Sequence, residues 1–249
     1  MKNLVNKKIN DLVSEDYVFG YVLHYFGISF YDYPENTLEE VCNQRGLEMS
    51  QVQRELESIH KPSLTRHTLI SYPVDLIIQY LKHSHHHFIC QKLPYMARLI
   101  EDLNEDLIPN AGLVRDLKVL FPLFVEDFIH HIHDEEDTLF KYVLTLQRAS
   151  LGDYQWGGLY YQMKKYQMSF FALDHHSHDD EMRGIREFTR DYELGENPSL
   201  HLQVLFSELE ALEEDLKIHA QIEDELLMPK GLRLESLVKE MIKQHAKYN

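Results

Sequence analysis

Cysteine is almost missing from this chain: Cys42 and Cys90 are the only two in 249 residues. Two thiols cannot build a disulfide framework or a four-thiolate cluster site. Long apolar runs are missing too. Nothing approaches the roughly 18–20 residues of a membrane span, and MKNLVNKKINDLVSEDYVF at the start has no apolar stretch of signal-peptide length. A reducing cytoplasm is therefore the expected compartment. Positive charge is scarce, with no Lys/Arg-rich block and a formal net charge of −16. Such a surface repels nucleic acid and anionic membrane, so neither is an expected partner. No alternation of period two persists anywhere, which removes the signal for strands.

What is present is apolar content and histidine. Apolar residues reach 44%, enough for a sizeable core, and the length suits one large domain with a smaller one. Sixteen histidines are unusual, and their placement more so: four fall within 83–87, three within 130–133 and three within 175–178.

Helical signals dominate the chain. Residues 5–25 read as a helix, followed by a turn at Gly27. Thr37 caps TLEEVCNQRG, with Glu40 completing a capping box and Gly46 as the stop, and Ser50 begins another short helix. These pieces predict a small helical N-terminal domain over 1–58. Residues 59–72 read as a linker, and 73–249 as an up-down bundle of four long helices with a tail helix. The four helices are expected over 73–107 (interrupted by Pro94), 113–149 (bent near Pro122), 163–194 and 199–228. A glycine-rich loop is expected over 150–162. Pro229 and Gly231 should end the fourth helix before an amphipathic tail, 232–246. The fold class expected is all-α.

Polar residues then appear where apolar ones belong. In the fourth long helix Leu202, Leu205, Leu209, Leu212 and Leu216 form a seam that continues through His219 and Glu223 to Leu226. In the second, Leu117, Phe121, Phe124 and Phe128 lead through His131 and Glu135 to Leu139. The third carries Phe171, His175, His178, Met182 and Ile185 on one stripe. The first carries Ile78, Leu81, His85 or His86, Ile89 and Leu93, and periodicity does not choose between the neighbouring histidines. A single core histidine is usually a packing residue. Two His-x-x-x-Glu pairs on apolar seams are different, because buried charge must be paired or must hold metal. The seams offer no inward Lys or Arg to do the pairing.

Imidazole and carboxylate without thiolate disfavour copper(I) and iron–sulfur clusters. Two carboxylates inside a bundle suit a dinuclear centre, since each can bridge with one oxygen per metal. Four histidines then give two per metal. An oxide or hydroxide bridge adds a fifth ligand, leaving one open position on each ion. Iron suits this mixture best, with manganese and zinc as alternatives.

At these residues the chain resembles the hemerythrin-like di-iron proteins, and specifically the Repair of Iron Centres family. HHHFICQKLP is similar to a family segment with a histidine seven residues before Leu-Pro, which selects His86. HIHDEEDTLF resembles H-x-x-x-E-E-x-x-L-F and selects His131 and Glu135. LDHHSHDDEMRGIREFT resembles a segment whose ligand precedes Ile-Arg by ten residues and selects His175, with His178 in reserve. HAQIEDELLMP resembles H-x-x-x-E-x-x-x-L-F-P and selects His219 and Glu223. The N-terminal stretch also resembles the family's small domain. The Cys-Cys-Gly-Gly signature expected after Gly27-Ile28-Ser29-Phe30 is Tyr31-Asp32-Tyr33-Pro34 here. Thiol chemistry at that position is excluded. Cys42 reads as a small buried residue, and the remaining histidines (His83, His85, His87, His130, His133, His176, His178) as groups outside the ligand set.

The resemblance implies two non-haem iron ions, oxo- or hydroxo-bridged, in a cytoplasmic protein that protects or repairs iron–sulfur clusters under nitrosative or oxidative stress. Damaged iron–sulfur proteins would be its partners, with iron donation as one mechanism. The alternatives are reduction of nitric oxide or peroxide at the di-iron centre, and binding or sensing of O2 or nitric oxide.

Overall fold

The computed structural model describes residues 4–58, 70–104, 111–171 and 180–248. Among them helix is the only extended regular structure, and a lone antiparallel bridge, Lys8 to Thr37, is the one strand-like pairing. The chain is all-α, as its patterning predicts. No described helix is long and apolar enough to cross a membrane.

The N-terminal helices are Ile9–Glu15 (α1), Val18–Tyr25 (α2), Leu38–Arg45 (α3) and Met49–Ser58 (α4). Where one helix is expected over 5–25, the chain breaks at Asp16. Its backbone is extended, and its carboxylate accepts the Val18 N–H at 3.1 Å, a local bond that competes with helix continuation. Gly27 makes the expected turn at φ +73°. The capping box forms as well: the Glu40 N–H donates to Thr37 Oγ1 at 3.3 Å, and the Thr37 N–H to Glu40 Oε2 at 2.9 Å.

The helices that follow are Val74–His87 (α5), Leu93–Glu101 (α6), Ala111–Glu135 (α7), Lys141–Ser150 (α8), Trp156–Lys165 (α9), Arg183–Phe188 (α10), Leu200–Ile222 (α11) and Met228–Tyr248 (α12). Three π-helical turns, Phe88–Lys92, Glu136–Phe140 and Glu223–Leu227, join α5 to α6, α7 to α8 and α11 to α12 without interruption.

Three expectations change here. Pro229 and Gly231 do not end the fourth helix. Pro229 is the second residue of α12, directly after a π turn in which the Met228 N–H reaches back to the Glu223 carbonyl, so the i→i−4 ladder that proline would break is already displaced there. Gly231 serves close packing instead, since a Cβ there would stand 2.5 Å from Cε of Met168. The loop expected over 150–162 contains the start of α9. Burial of Leu159 and Met163, one turn apart, outweighs the roughly 1 kcal/mol that each of Gly157 and Gly158 costs a helix. The third long helix, expected over 163–194, is a set of shorter pieces. α10 ends before Arg190, Asp191 and Tyr192, which carry φ of 54°, 55° and 58°. That left-handed turn is held by Tyr192, whose N–H donates to Thr189 Oγ1 and whose hydroxyl donates to Glu213 Oε2 at 2.6 Å. Residues 59–69 of the expected linker, and His175 and His178, lie outside the described residues.

The chain divides into two compact units. The first comprises Met1–Ser63, Lys92–Phe121 and Ile185–Glu213. Ile9, Leu12, Leu23, Ile28, Leu38 and Leu56 are buried in it. The Tyr17 hydroxyl donates to Gln203 Oε1 at 2.8 Å. Tyr31 stands where the family resemblance leads one to look for cysteine. Its ring stacks on His201 with centroids 4.2 Å apart, and its hydroxyl donates to Asp102. The residue at that position is thus a packing and hydrogen-bonding group.

The second unit comprises Leu64–Gln91, Pro122–Gly184 and Glu214–Asn249. Ile77, Ile78, Leu81, Phe140, Val143 and Leu227 are at its centre. Burying each contributes about 1.5–3 kcal/mol. A buried carboxylate, Glu235, ties α12 to its neighbours. Glu235 Oε1 accepts from the Tyr142 hydroxyl at 2.8 Å and the Met168 N–H at 3.1 Å, and its Oε2 accepts from Lys239 Nζ at 2.7 Å.

Candidate metal centre

The second unit places polar side chains on three apolar stripes. On α5, Ile78 and Leu81 lead to His85, with Phe88 one turn beyond, and all four are buried. On α7 the buried line runs Phe128, Ile132, Glu135, then Leu139 in the π turn. His131 sits at the edge of that line with 30% of its side chain exposed. On α11 the stripe ends at His219, and Glu223 opens the following π turn with 1% of its side chain exposed. Glu135 directly precedes one π turn, Glu223 begins another, and His85 lies three residues before the third. Such turns, which insert one residue into an α-helix, occur frequently at functional sites.

These side chains converge. Nε2 of His85 and Nε2 of His219 are 2.9 Å apart. Nε2 of His85 is 3.5 Å from Oε2 of Glu135, and Nε2 of His219 is 3.3 Å from Oε1 of Glu223. One donor atom from each of the four lies within 4.8 Å of the others. His85 stacks on Phe140, and His219 meets Phe88 edge-on, so apolar rings wall the inner side.

Electrostatics follow from this burial. Burial, reinforced by the neighbouring His219, pushes the His85 imidazole down to about 4, so it is neutral near pH 7. Burial and the facing Glu223 carboxylate push Glu135 well above the usual carboxylate range, and Glu181 and Glu136 add to the shift. Glu136 behaves oppositely. Burial alone would raise it, but hydrogen bonds from His85 and Lys82 outweigh that and hold it below its ordinary value.

Glu136 also fixes the His85 tautomer. Its Oε1 is 3.0 Å from His85 Nδ1, and its Oε2 is 3.1 Å from Lys82 Nζ. The neutral ring therefore carries its proton on Nδ1, donates it to Glu136 and turns the Nε2 lone pair toward His219. This is the carboxylate–histidine arrangement that orients metal-ligating imidazoles.

The donor set fits a cation. Without one, a ring nitrogen must hold a proton toward its 2.9 Å neighbour, and two buried carboxylates face each other. With one, both lone pairs and both carboxylates share a positive centre. Donors bound at about 2.1 Å stand about 3.0 Å apart when cis, which matches the two imidazoles. His85, Glu135, His219 and Glu223 together can hold a metal ion.

Of the residues expected from sequence, Glu135, His219 and Glu223 are brought together, and His131 lies beside them with Nε2 3.8 Å from Glu135 Oε2. His86 is not among them. It is exposed, with Nδ1 3.6 Å from Cys90 Sγ, and His85 takes the inward position on the stripe of Ile78 and Leu81. His175 lies outside the described residues. His83, His130 and His133 are exposed and His87 is partly so. Cys42 is buried and Cys90 exposed.

Sequence reasoning did not single out Glu136, Lys82 or Glu181. The only signal for Glu136 is the second glutamate of HIHDEE, and Lys82 precedes His85 by three residues, one helical turn. Glu181, whose Oε1 is 3.7 Å from His131 Nε2, falls one residue off the stripe of His178, Met182 and Ile185 that the sequence offered. Comparison with protein-family models and with curated proteins returns no match for this chain.

Proposed function

We propose that this site holds two non-haem iron ions and that the protein protects or repairs iron–sulfur clusters by releasing iron to damaged ones. The ligands would be His85, His131, Glu135, His219 and Glu223, with His175 as the resemblance to the Repair of Iron Centres family implies. The observation that carries the reading is the convergence of two imidazole nitrogens, 2.9 Å apart, one from the buried His85 and one from the part-buried His219, with two buried carboxylates from different helices.

Bound there, the pair would supply Lewis acidity and one-electron chemistry toward small molecules such as O2, nitric oxide or peroxide. The side chains divide the remaining work. Glu136 holds the Nδ1 proton of His85 and keeps Nε2 available. Phe88 and Phe140 exclude water on the inner side. His131 and Glu181, with 30% and 24% of their side chains exposed, leave the outer side open to exchange. The net charge of −16 favours encounter with a basic partner surface.

The test is an anaerobic mixing experiment between the iron-loaded protein and an apo iron–sulfur protein supplied with sulfide. Iron donation predicts cluster formation with matching loss of iron from this chain, and no loss when the acceptor is omitted. Many turnovers of nitric oxide to nitrous oxide with an electron donor, at constant iron content, would replace repair by the reductase reading. Stoichiometric gas binding without turnover or loss would select the sensor.

A further inference from the structure

The segment Tyr31-Asp32-Tyr33-Pro34 does more than fill space in the first unit. Tyr31 and Pro34 line a cleft of about 340 Å³ there, together with Asn10, Asp102 and His201. That volume falls at the lower end of the range for small-molecule sites. Phe30, also in the wall, meets Tyr31 and His201 edge-on, and those two rings stack 4.2 Å apart.

The polar groups of the cleft are only half engaged. Asp102 Oδ2 accepts from the Tyr31 hydroxyl and lies 2.7 Å from Arg98 Nε, and neither contact involves Oδ1. His201 Nε2 is 2.9 Å from the Leu99 carbonyl oxygen. A carbonyl only accepts, so Nε2 carries the proton, and in the neutral ring Nδ1 is a lone pair. Burial pushes the His201 pKa down, outweighing the Leu99 carbonyl, Asp102 and Asp32, which raise it, so the ring is neutral near pH 7. Among the described residues, Asp102 Oδ1, His201 Nδ1 and the Asn10 side-chain amide have no hydrogen-bond partner. Tyr31 links the two acceptors, with its ring on His201 and its hydroxyl on Asp102. No Lys or Arg lines the cleft, and Asp102 is its one charged group near pH 7. Open acceptors, a single carboxylate and aromatic walls select a ligand that donates N–H bonds and carries positive charge. An anion would meet the carboxylate with no lining cation to offset it.

We infer that this cleft binds a small organic ammonium ion, its charged group against Asp102 and its apolar part against Tyr31 and Phe30. The inference does not rest on the metal reading, because every residue it uses belongs to the first unit.

NMR of the histidine-labelled full chain tests this, with the His201 ring signal assigned by its absence in His201→Gln. Benzylamine is the probe, and benzyl alcohol and benzoate are its neutral and anionic counterparts. Benzylamine should shift the His201 signal saturably. Benzyl alcohol should bind about tenfold more weakly or worse, and benzoate should leave the signal unmoved. Asp102→Asn, similar in shape but uncharged, should weaken benzylamine about tenfold or more. Glu240→Gln makes the same charge change at an exposed site of the second unit and should leave binding unchanged. Far-UV circular dichroism and melting separate ligand loss from misfolding. Should Asp102→Asn fail to fold, Asn10→Leu decides, since it fills the cleft without altering charge and should abolish the shift. No saturable shift with benzylamine would overturn the inference. So would equal binding of benzyl alcohol, equal weakening by Asp102→Asn and Glu240→Gln, or full binding in Asn10→Leu.

Discussion

The two ring nitrogens of His85 do different jobs. Nδ1 donates to Glu136, and Nε2 faces His219. Removing the orienting carboxylate should cost metal affinity without removing a ligand, typically 10–100-fold. Glu136→Ala should therefore bind metal at normal stoichiometry but lose it to a chelator at about 10–100-fold lower chelator concentration. His86→Ala should compete like wild type, because His86 is exposed and its ring lies beside Cys90. Helix periodicity left His85 and His86 open, and the family resemblance, through its histidine seven residues before Leu-Pro, selected His86. Burial separates the two in the structure: His85 continues the line of Ile78 and Leu81, and His86 is exposed. The π turn Phe88–Lys92 lies between these histidines and Leu93, and an inserted residue there shifts helical phase by about 100°.

Helices in this chain were easier to find in the sequence than their interruptions. The Thr37–Glu40 box and the Gly46 stop are local chemistry, and both formed where residue type required. The behaviour of Pro229 depends on the π turn before it, and that of Gly231 on Met168 packed against it from elsewhere in the second unit. Neither is written in the surrounding ten residues. The buried Glu235 is likewise set by distant partners, Tyr142 and Met168. Burial alone would raise its pKa, but bonds from Lys239, Tyr142 and Met168 hold it below the ordinary value. A carboxyl whose folded pKa is depressed contributes stability above its unfolded pKa of about 4.3, and loses it as pH falls through the folded value. Glu235→Gln should therefore lower stability at pH 7 by about 1–3 kcal/mol. Melting temperature should drop by roughly 2–4 °C per kcal/mol. Its melting curve should also change less than wild type between pH 5 and pH 3. Parallel pH profiles in the two proteins would rule out the ionised carboxylate as the contributor.

At the scale of the molecule, composition and pattern sufficed for the all-α class, because no period-two signal competed with the helical one. They also singled out Glu135, His219 and Glu223, which the structure brings together with His85, because ionisable groups on apolar seams stand out against leucine and phenylalanine. Compact units were harder to read. The first contains the N-terminal helices together with 92–121 and 185–213, tied by contacts such as Tyr31 to Asp102 and Tyr17 to Gln203. Polar contacts over such sequence separations leave no periodic trace. Function at this scale depends on whether the second unit's buried acid and imidazole groups exist to hold metal. Metal-linked folding predicts that Glu135→Ala and Glu223→Ala each lose bound metal and melt at lower temperature than the loaded wild type. The measurement that decides most directly is metal analysis with a Mössbauer spectrum of the natively expressed chain beside these two variants. The account predicts two coupled iron ions per wild-type chain and a depleted, altered signal in both variants. A folded wild-type protein free of transition metal, or full iron loading in both variants, would contradict it.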